Sequence, residues 1–480
     1  MPNVLDNSSE LKLSTLFESW AGCAPSSVAK LPPSGSNRAY FRLAAADGRT
    51  AIGVVGENDR ENAAFISFSR AFAKAGINVP QIYAVDTDAG VYLQQDLGQT
   101  SLFDLINAER KDRGAAFSPK LKEVYKRVLA ALADIQNKGR NCIDFSLCYP
   151  RSDFDRQSMM WDLQYFKYYF LRLAGVAFDE AKLENDFNTF IDHLLEANAK
   201  YFLYRDMQSR NIMLAADGTP WFIDYQGGRR GARQYDVASL LYDAKADIPN
   251  PVRNELLAFY VSRLRATEVN AFLRYFYSFC LIRIMQAMGA YGYRGYFERK
   301  EHFLKSIPFA LDNLKDILSN HRPELDMPEL NRVWDELADS ASLRQVAAGA
   351  RLKVRVFSFS YKHGIPADVS GNGGGHVFDC RALPNPGREA RFKNSTGRDA
   401  DVIAFFAERQ AAMTPFIEAV KGVVRISVNN YVSRGFANLM VSFGCTGGQH
   451  RSVYCAETVA RWIRSEWPMV DVELKHVEQL

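Results

Sequence analysis

No two cysteines in this 480-residue chain are spaced as C-x-x-C; the seven are scattered and odd in number. That excludes a zinc ribbon and a disulfide framework, and it fits a reducing compartment. None of the seven histidines forms H-E-x-x-H, so a zincin-type metal centre is excluded as well. No run of some 18 apolar residues occurs, so no membrane span and no membrane partner is expected. The start of the chain lacks a basic segment followed by an apolar stretch, and a cytoplasmic protein is expected. A Walker-type G-x-x-x-x-G-K-[ST] is missing. Internal repeats and long low-complexity tracts are missing too. Charge is nearly balanced at +4, which points to no particular partner, while 47% hydrophobic residues are ample for sizeable cores.

The most informative stretch is Tyr201–Gly228, YFLYRDMQSRNIMLAADGTPWFIDYQGG. Two apolar runs, Ile212–Leu214 and Trp221–Ile223, flank Asp217-Gly218, a strong turn signal, and predict a hairpin. The hairpin would gather Asp206, Asn211 and Asp224 around one cleft. Phosphoryl transfer from a metal–nucleotide needs such a set. One carboxylate (Asp206) orients the acceptor hydroxyl and takes its proton; an amide and a second carboxylate (Asn211 and Asp224) hold magnesium. An ordinary hairpin with acidic turns is the alternative.

YRDMQSRN with IDYQ resembles the catalytic and metal-binding loops of the aminoglycoside phosphotransferase family of small-molecule kinases, in particular the amino-sugar kinases acting on N-acetylmuramate and N-acetylglucosamine. The resemblance implies ATP and Mg2+ as cofactors and a small-molecule sugar as acceptor. It also implies an α+β bilobal protein-kinase-like fold with a β-rich N-lobe (1–96) and a helical C-lobe (97–330). The family often has histidine at the position of Tyr204, a departure that touches loop support.

Within that frame, Ser34, Gly35 and Ser36 in LPPSGSNRAYFRL form a small-residue turn where backbone N–H groups could meet nucleotide phosphates. A plain hairpin turn reads equally well there. The third strand, TAIGVV at Thr50–Val55, lacks the lysine that most kinases use for the α- and β-phosphates. Arg38 or Arg42 on the preceding strand could supply the charge; the alternative is a weakened kinase. Glu61, in the first turn of a helix with Phe65, Phe68 and Phe72 on one side, is either a cation partner or a surface acid. Gln95-Asp96-Leu97-Gly98 resembles the hinge that meets adenine, and Gln95 is a nucleotide-binding candidate. Trp161, Tyr165, Phe166, Tyr169 and Phe170 mark a helix face, better explained by core packing than by sugar stacking. Asp162 on the same helix is a minor acceptor candidate. Arg229 and Arg230 in GGRRG are either phosphate contacts or solvated, and Asp236 would brace the catalytic loop.

Proline-rich Pro323–Pro328 predicts the start of a linker (331–350) that carries a short helix around Leu330–Leu337, and composition changes after Arg351. LKVRVFSFSY alternates as a strand, and further β and α patterns predict a separate α/β domain at 351–480. In NLMVSFGCTGGQHRSV a strand runs through a glycine turn into a helix, an anion-binding arrangement. Cys445 and Arg451 stand as C-x5-R, the arrangement of thiolate phosphatases, which remains open as an alternative.

YKHGIP, VFDCRALPNP and GCTGGQHRS together resemble the C-terminal domain of the RapZ family of RNase adapters. That resemblance implies sensing of glucosamine-6-phosphate and binding of a regulatory RNA. The candidate sugar-phosphate residues are Asp379, Arg381, Asn385, Thr446, Gly447, His450 and Arg451; Asp379 with Arg381 could instead be a structural pair, and His450 a capping or core histidine. RNA stays a second candidate partner because basic residues such as Arg388, Arg391 and Lys393 are frequent, and oligomerisation through this domain is kept open. The rival to the kinase is an RNA-binding or regulatory adapter with a nucleotide-binding scaffold. An antibiotic-modifying kinase would need a strongly acidic acceptor cleft, which the sequence does not show.

Overall fold

The computed structural model describes residues 4–32, 38–56, 58–113, 117–298, 300–347, 352–368, 374–433 and 436–479. Ser34, Gly35 and Ser36 lie outside them. The chain divides into two compact units.

The first unit begins with α1 (Val4–Ala21), ended by Gly22 at φ +72°. Five antiparallel strands follow: β1 (Ser27–Lys30), β2 (Ala39–Ala44), β3 (Thr50–Val55), then, after α2 (Asp59–Lys74), β4 (Ile82–Asp86) and β5 (Val91–Gln95). Their order is β1-β2-β3-β5-β4. Period-two alternation divides the faces. Phe41, Leu43, Ala51 and Leu93 pack on Leu13 and Phe17 of α1. The other face carries Arg38, Tyr40 and Arg42, with Tyr40 opposite Val54 and Arg42 opposite Ile52. Helix α2 is capped by Asn58, whose Oδ1 accepts the N–H groups of Arg60 and Glu61. Its Phe65, Phe68 and Phe72 are buried, each contributing roughly 1.5–3 kcal/mol by burial.

The helical part comprises α3 (Leu102–Arg113), α4 (Pro119–Cys142), α5 (Arg156–Phe166) and α6 (Glu180–Leu195). Two short ribbons come next: β6 (Tyr201–Leu203) pairs with β9 (Arg229–Gly231), and β7 (Ile212–Leu214) with β8 (Pro220–Phe222). The bundle closes with α7 (Gln234–Leu241), α8 (Asn250–Ser262) and α9 (Ala266–Tyr291); after α10 (Glu301–Leu304), which clusters with the second unit, come α11 (Ile307–His321) and α12 (Pro328–Asp339). The aromatic stripe on α5 does not lie on one face. A π-helical turn at Lys167–Leu171 follows α5, so Phe166 and Phe170 are buried while Trp161 and Tyr169 are exposed.

The short helix expected around Leu330–Leu337 is α12, so residues 331–339 of the expected linker are helical. Leu330, Val333, Trp334 and Leu337 form a buried stripe, and the Trp334 ring meets Phe190 of α6 edge-on at 5.7 Å. Pro328, which suggested a linker, stands in the first turn of the helix, where its missing N–H has no partner to lose.

The second unit takes in α13 (Ala341–Ala347). Its sheet is parallel, in the order β11 (His376–Asp379), β12 (Asn438–Cys445), β10 (Lys353–Ser360), β13 (Asp471–His476). Helices α14 (Ala400–Ala407), α15 (Gln410–Ser433) and α16 (Arg451–Glu466) complete it. Residues 401–422 carry most of α14 and the first half of the long α15, and β13 was not foreseen. Together this is a bilobal kinase-like fold followed by an α/β domain.

Candidate functional site

The β7–β8 hairpin closes on Asp217-Gly218: Gly218 takes φ +79°, and Asp217 Oδ1 accepts the Thr219 N–H at 2.8 Å. It holds Asn211 at one end and Asp224 beyond the other, since Ile223 N–H donates to the Asn211 carbonyl at 3.1 Å. The Asn211 amide Nδ2 donates to the Asp206 backbone carbonyl at 2.8 Å and to Asp224 Oδ2 at 3.2 Å. One side chain therefore locks the three predicted residues together and keeps its Oδ1 as an acceptor. Gln226 Nε2 donates to Asp224 Oδ1 at 2.8 Å, while Gln226 Oε1 is buried with no hydrogen-bond partner among the described residues. Desolvation, and then the neighbouring Asp206 carboxylate, push Asp224 above the usual carboxylate range; Gln226, Arg210 and Arg38 pull against them. Asp224 holds φ +68° and Arg205 φ +83°, left-handed values uncommon outside glycine and frequent where a site stores strain.

Magnesium fits this set. The available atoms are hard oxygens on a neutral amide and a carboxylate, the orphaned Gln226 oxygen lies beside them, and the Asp206 carboxylate raises the cost of charging Asp224, which a cation would offset.

The loop is braced from behind. Asp236, fully buried, accepts the backbone N–H groups of Tyr204 at 2.8 Å and Arg205 at 3.0 Å. Burial raises Asp236 to about 7, against the lowering effect of those bonds. Tyr204 donates its hydroxyl to the Ile223 carbonyl, so loop support survives the replacement of histidine. Arg205 binds both Asp162 oxygens and the Tyr235 hydroxyl, which removes Asp162 as an acceptor contact. Arg229 is buried in a strand, donating to the Gly227 and Tyr149 carbonyls, and does not face an open loop.

In the N-lobe, Gln95 is turned to the start of β4: its Oε1 accepts the Gln81 N–H at 3.4 Å and its own N–H donates to the Gln81 carbonyl at 2.8 Å. Arg42 pairs with Asp96 through bonds of 2.7 and 3.0 Å and donates to the Gly98 carbonyl. Arg38 is 7% exposed and lies 3.4 Å from Glu61.

In the second unit a cavity of about 240 Å³ opens at the start of α16. Asn385, Thr446, Gly447, His450 and Arg451 line it, joined by Cys445 and Lys393, raised from sequence only for thiolate chemistry and RNA, and by Gly387 and Gln449, which the sequence reading did not single out. Among the described residues, the backbone N–H groups of Thr446 to Arg451 meet no protein acceptor. His450 Nε2 donates to the Phe392 carbonyl at 2.8 Å, which fixes its tautomer and orientation. Asp379 and Arg381 do not line the cavity; they pair with each other, and Arg381 covers the Tyr361 ring. Arg451 donates to the Arg381 carbonyl at 2.7 Å and reaches Thr446 Oγ1 only at 3.5 Å. A phosphatase arginine needs a free fork, so this geometry disfavours the thiolate reading although Cys445 Sγ sits 3.1 Å from Ser452 Oγ. Several cations that suggested RNA are paired: Lys353 with Asp471, Arg355 with Glu473, Arg391 with Glu389.

Residues 28–271 match the phosphotransferase enzyme family. The chain belongs to that family. Residues 352–479 match the RapZ C-terminal domain. A nucleotide-binding protein of Clostridium kluyveri is 31% identical over 176 residues, 37% of this chain and 55% of the relative. The RNase adapter protein RapZ of Photorhabdus laumondii is 33% identical over 177 residues, 36% of this chain and 60% of the relative. The chain thus spans little more than half the length of these relatives. A choline kinase from Cryptosporidium parvum aligns over 69% of this chain and 99% of its own at 12% identity, with a TM-score of 0.46. For a phosphotransferase, the residues that sequence reading missed are chiefly Gln226 and Asp96. Both stood inside quoted motifs, but only the paired geometry gives them a task.

Proposed function

We propose that the first unit transfers a phosphoryl group from MgATP to a hydroxyl of a small molecule, most specifically an amino sugar or cell-wall precursor, and that the second unit binds a sugar phosphate. The observation that carries the first half is the Asn211 amide bridging Asp206 and Asp224 at 2.8 and 3.2 Å. Asp206 orients the acceptor hydroxyl and takes its proton as the hydroxyl oxygen bonds to the γ-phosphorus and the bond from that phosphorus to the β–γ bridging oxygen breaks, releasing ADP. Asn211 Oδ1 and Asp224 hold the magnesium ion, whose charge offsets that of the nucleotide phosphates. Asp236, Tyr204 and Arg205 keep the loop rigid, so the carboxylate is in place before the substrate arrives.

The sugar acceptor is supported by the resemblance of YRDMQSRN and IDYQ to amino-sugar kinases and by the company of a RapZ-type domain. In that domain the unmatched N–H groups of Thr446 to Arg451, with Lys393 beside them, suit a phosphate monoester. One half would then make a sugar phosphate and the other sense one.

The test is ATP turnover by the full chain with magnesium against N-acetylmuramate, N-acetylglucosamine, glucosamine, other hexoses and an aminoglycoside, with Asp206→Asn as control. Turnover with one sugar, reduced about 10²- to 10⁴-fold in the variant, supports the proposal. No turnover with any acceptor, together with RNA binding that falls steeply with salt, would replace it by the adapter reading.

A further inference from the structure

A kinase of this type needs a fixed cation against the nucleotide phosphates, and β3 offers none. On the cleft face of the sheet β3 presents Ile52 and Val54, both buried and apolar. The neighbouring strand presents cations on the same face, because alternation from Tyr40 puts Arg38 and Arg42 beside it. These two arginines are not equivalent. Arg42 is engaged by both oxygens of Asp96 and by the Gly98 carbonyl, so it holds the hinge together. Arg38 instead lies toward α2, with Nη2 3.4 Å from Glu61 Oε2.

Glu61 is not a loosely held surface acid. Its backbone N–H is bound at 3.2 Å by the Asn58 cap, which fixes it in the first turn of α2. Arg38 is 7% exposed, so its guanidinium is held within the lobe beside the acid of α2.

We infer that Arg38, held by Glu61, is the phosphate-binding cation of this phosphotransferase, replacing the strand lysine from one strand away. The inference rests on the proposed ATP-dependent activity. Arginine suits the transplanted position: its stem is long, and its planar fork can engage a carboxylate on one edge and phosphate oxygens on the other. Glu61 is a positioning residue. It restrains the fork, so the orientation of α2 and nucleotide affinity are linked.

The experiment is calorimetric titration of the full-length chain with MgADP and with the non-hydrolysable analogue of MgATP, for wild type, Arg38→Gln, Arg38→Lys, Glu61→Gln and, as control, Arg49→Gln. The expected result is a Kd raised tenfold or more in Arg38→Gln, partly restored in Arg38→Lys, and raised severalfold in Glu61→Gln, with Arg49→Gln, an exposed arginine paired with Asp47, binding as wild type does. Thermal melting without nucleotide monitors folding; if Arg38→Gln melts early, the Arg38→Lys and Glu61→Gln titrations decide the matter. Wild-type affinity in both of these and in a folded Arg38→Gln overturns the inference and leaves the kinase reading intact. Failure of the wild type itself to bind either nucleotide overturns both.

Discussion

Arg205 grips Asp162 through two hydrogen bonds of 2.7 and 2.5 Å, which ties α5 to the residue immediately before Asp206. Both partners are largely buried, and the Tyr235 hydroxyl completes the arrangement. Asp162→Ala leaves the guanidinium without its counter-charge. The expected loss is about 3 kcal/mol in urea unfolding, and turnover should fall with it because the loop is released. A loss of under about 1 kcal/mol would mean that the pair behaves as a surface ion pair and does not position the loop.

Asp236 gives stability a pH dependence of definite sign. Its folded-state value is raised by burial to about 7, whereas an unfolded aspartate titrates near ~4. Between these values the folded chain binds the additional proton. The contribution is full below the unfolded value and is lost as pH rises through about 7. Urea unfolding of the wild type should therefore show stability falling across this window, by at most about 1.4 kcal/mol per pH unit from this group. Asp236→Asn should lack that component; an identical pH slope in both proteins would refute it.

Asp224 acts in the opposite sense on ligand binding. Desolvation and Asp206 raise it above the ordinary carboxylate range, so it takes up a proton at a higher pH than a free aspartate. A protonated carboxyl is a poor ligand for a divalent cation. MgADP affinity should fall as pH is lowered, beginning above the usual aspartate range. Asp206→Asn removes the neighbouring negative charge and should move that fall to lower pH. Calorimetry across a pH series reads both, and an unshifted profile in the variant would separate the two carboxylates electrostatically.

Gly448 tests the second site. It holds φ +65°, and a Cβ there would stand 2.2 Å from Glu478 Cγ and 3.0 Å from the Ser360 nitrogen. Gly448→Ala must displace the turn that carries Thr446 and Gly447. Glucosamine-6-phosphate binding, measured by calorimetry, should weaken at least tenfold while ATP affinity stays unchanged. Unaltered sugar-phosphate affinity in a folded variant would place the ligand elsewhere.

Much of the framework was legible because local rules set it. Thr50–Val55 emerged with the expected bounds since strand alternation and the Asp47-Gly48 turn are short-range signals. The hairpin around Asp217-Gly218 came within one residue of its expected position. The helix around Leu330–Leu337 was legible, but its place in the first unit was not, because proline marks both chain breaks and helix starts. Only the burial of Trp334 against Phe190 separates the two. β13 was missed because an edge strand with alternate residues exposed looks like a polar tail until its register with β10 is known.

The order of chemistry-bearing residues, Asp206, Asn211 and Asp224 around a two-strand hairpin, was determined by sequence alone, since spacing and turn propensity suffice to bring them near one another. Their partners were decided by tertiary structure. Which arginine of β2 faces α2 and which faces the hinge, that Asp162 serves Arg205, and that Arg381 turns to Asp379 outside the cavity all depend on packing between segments far apart in the chain. A charged side chain settles where the fold supplies a counter-charge or a carbonyl, and no local pattern encodes that distance.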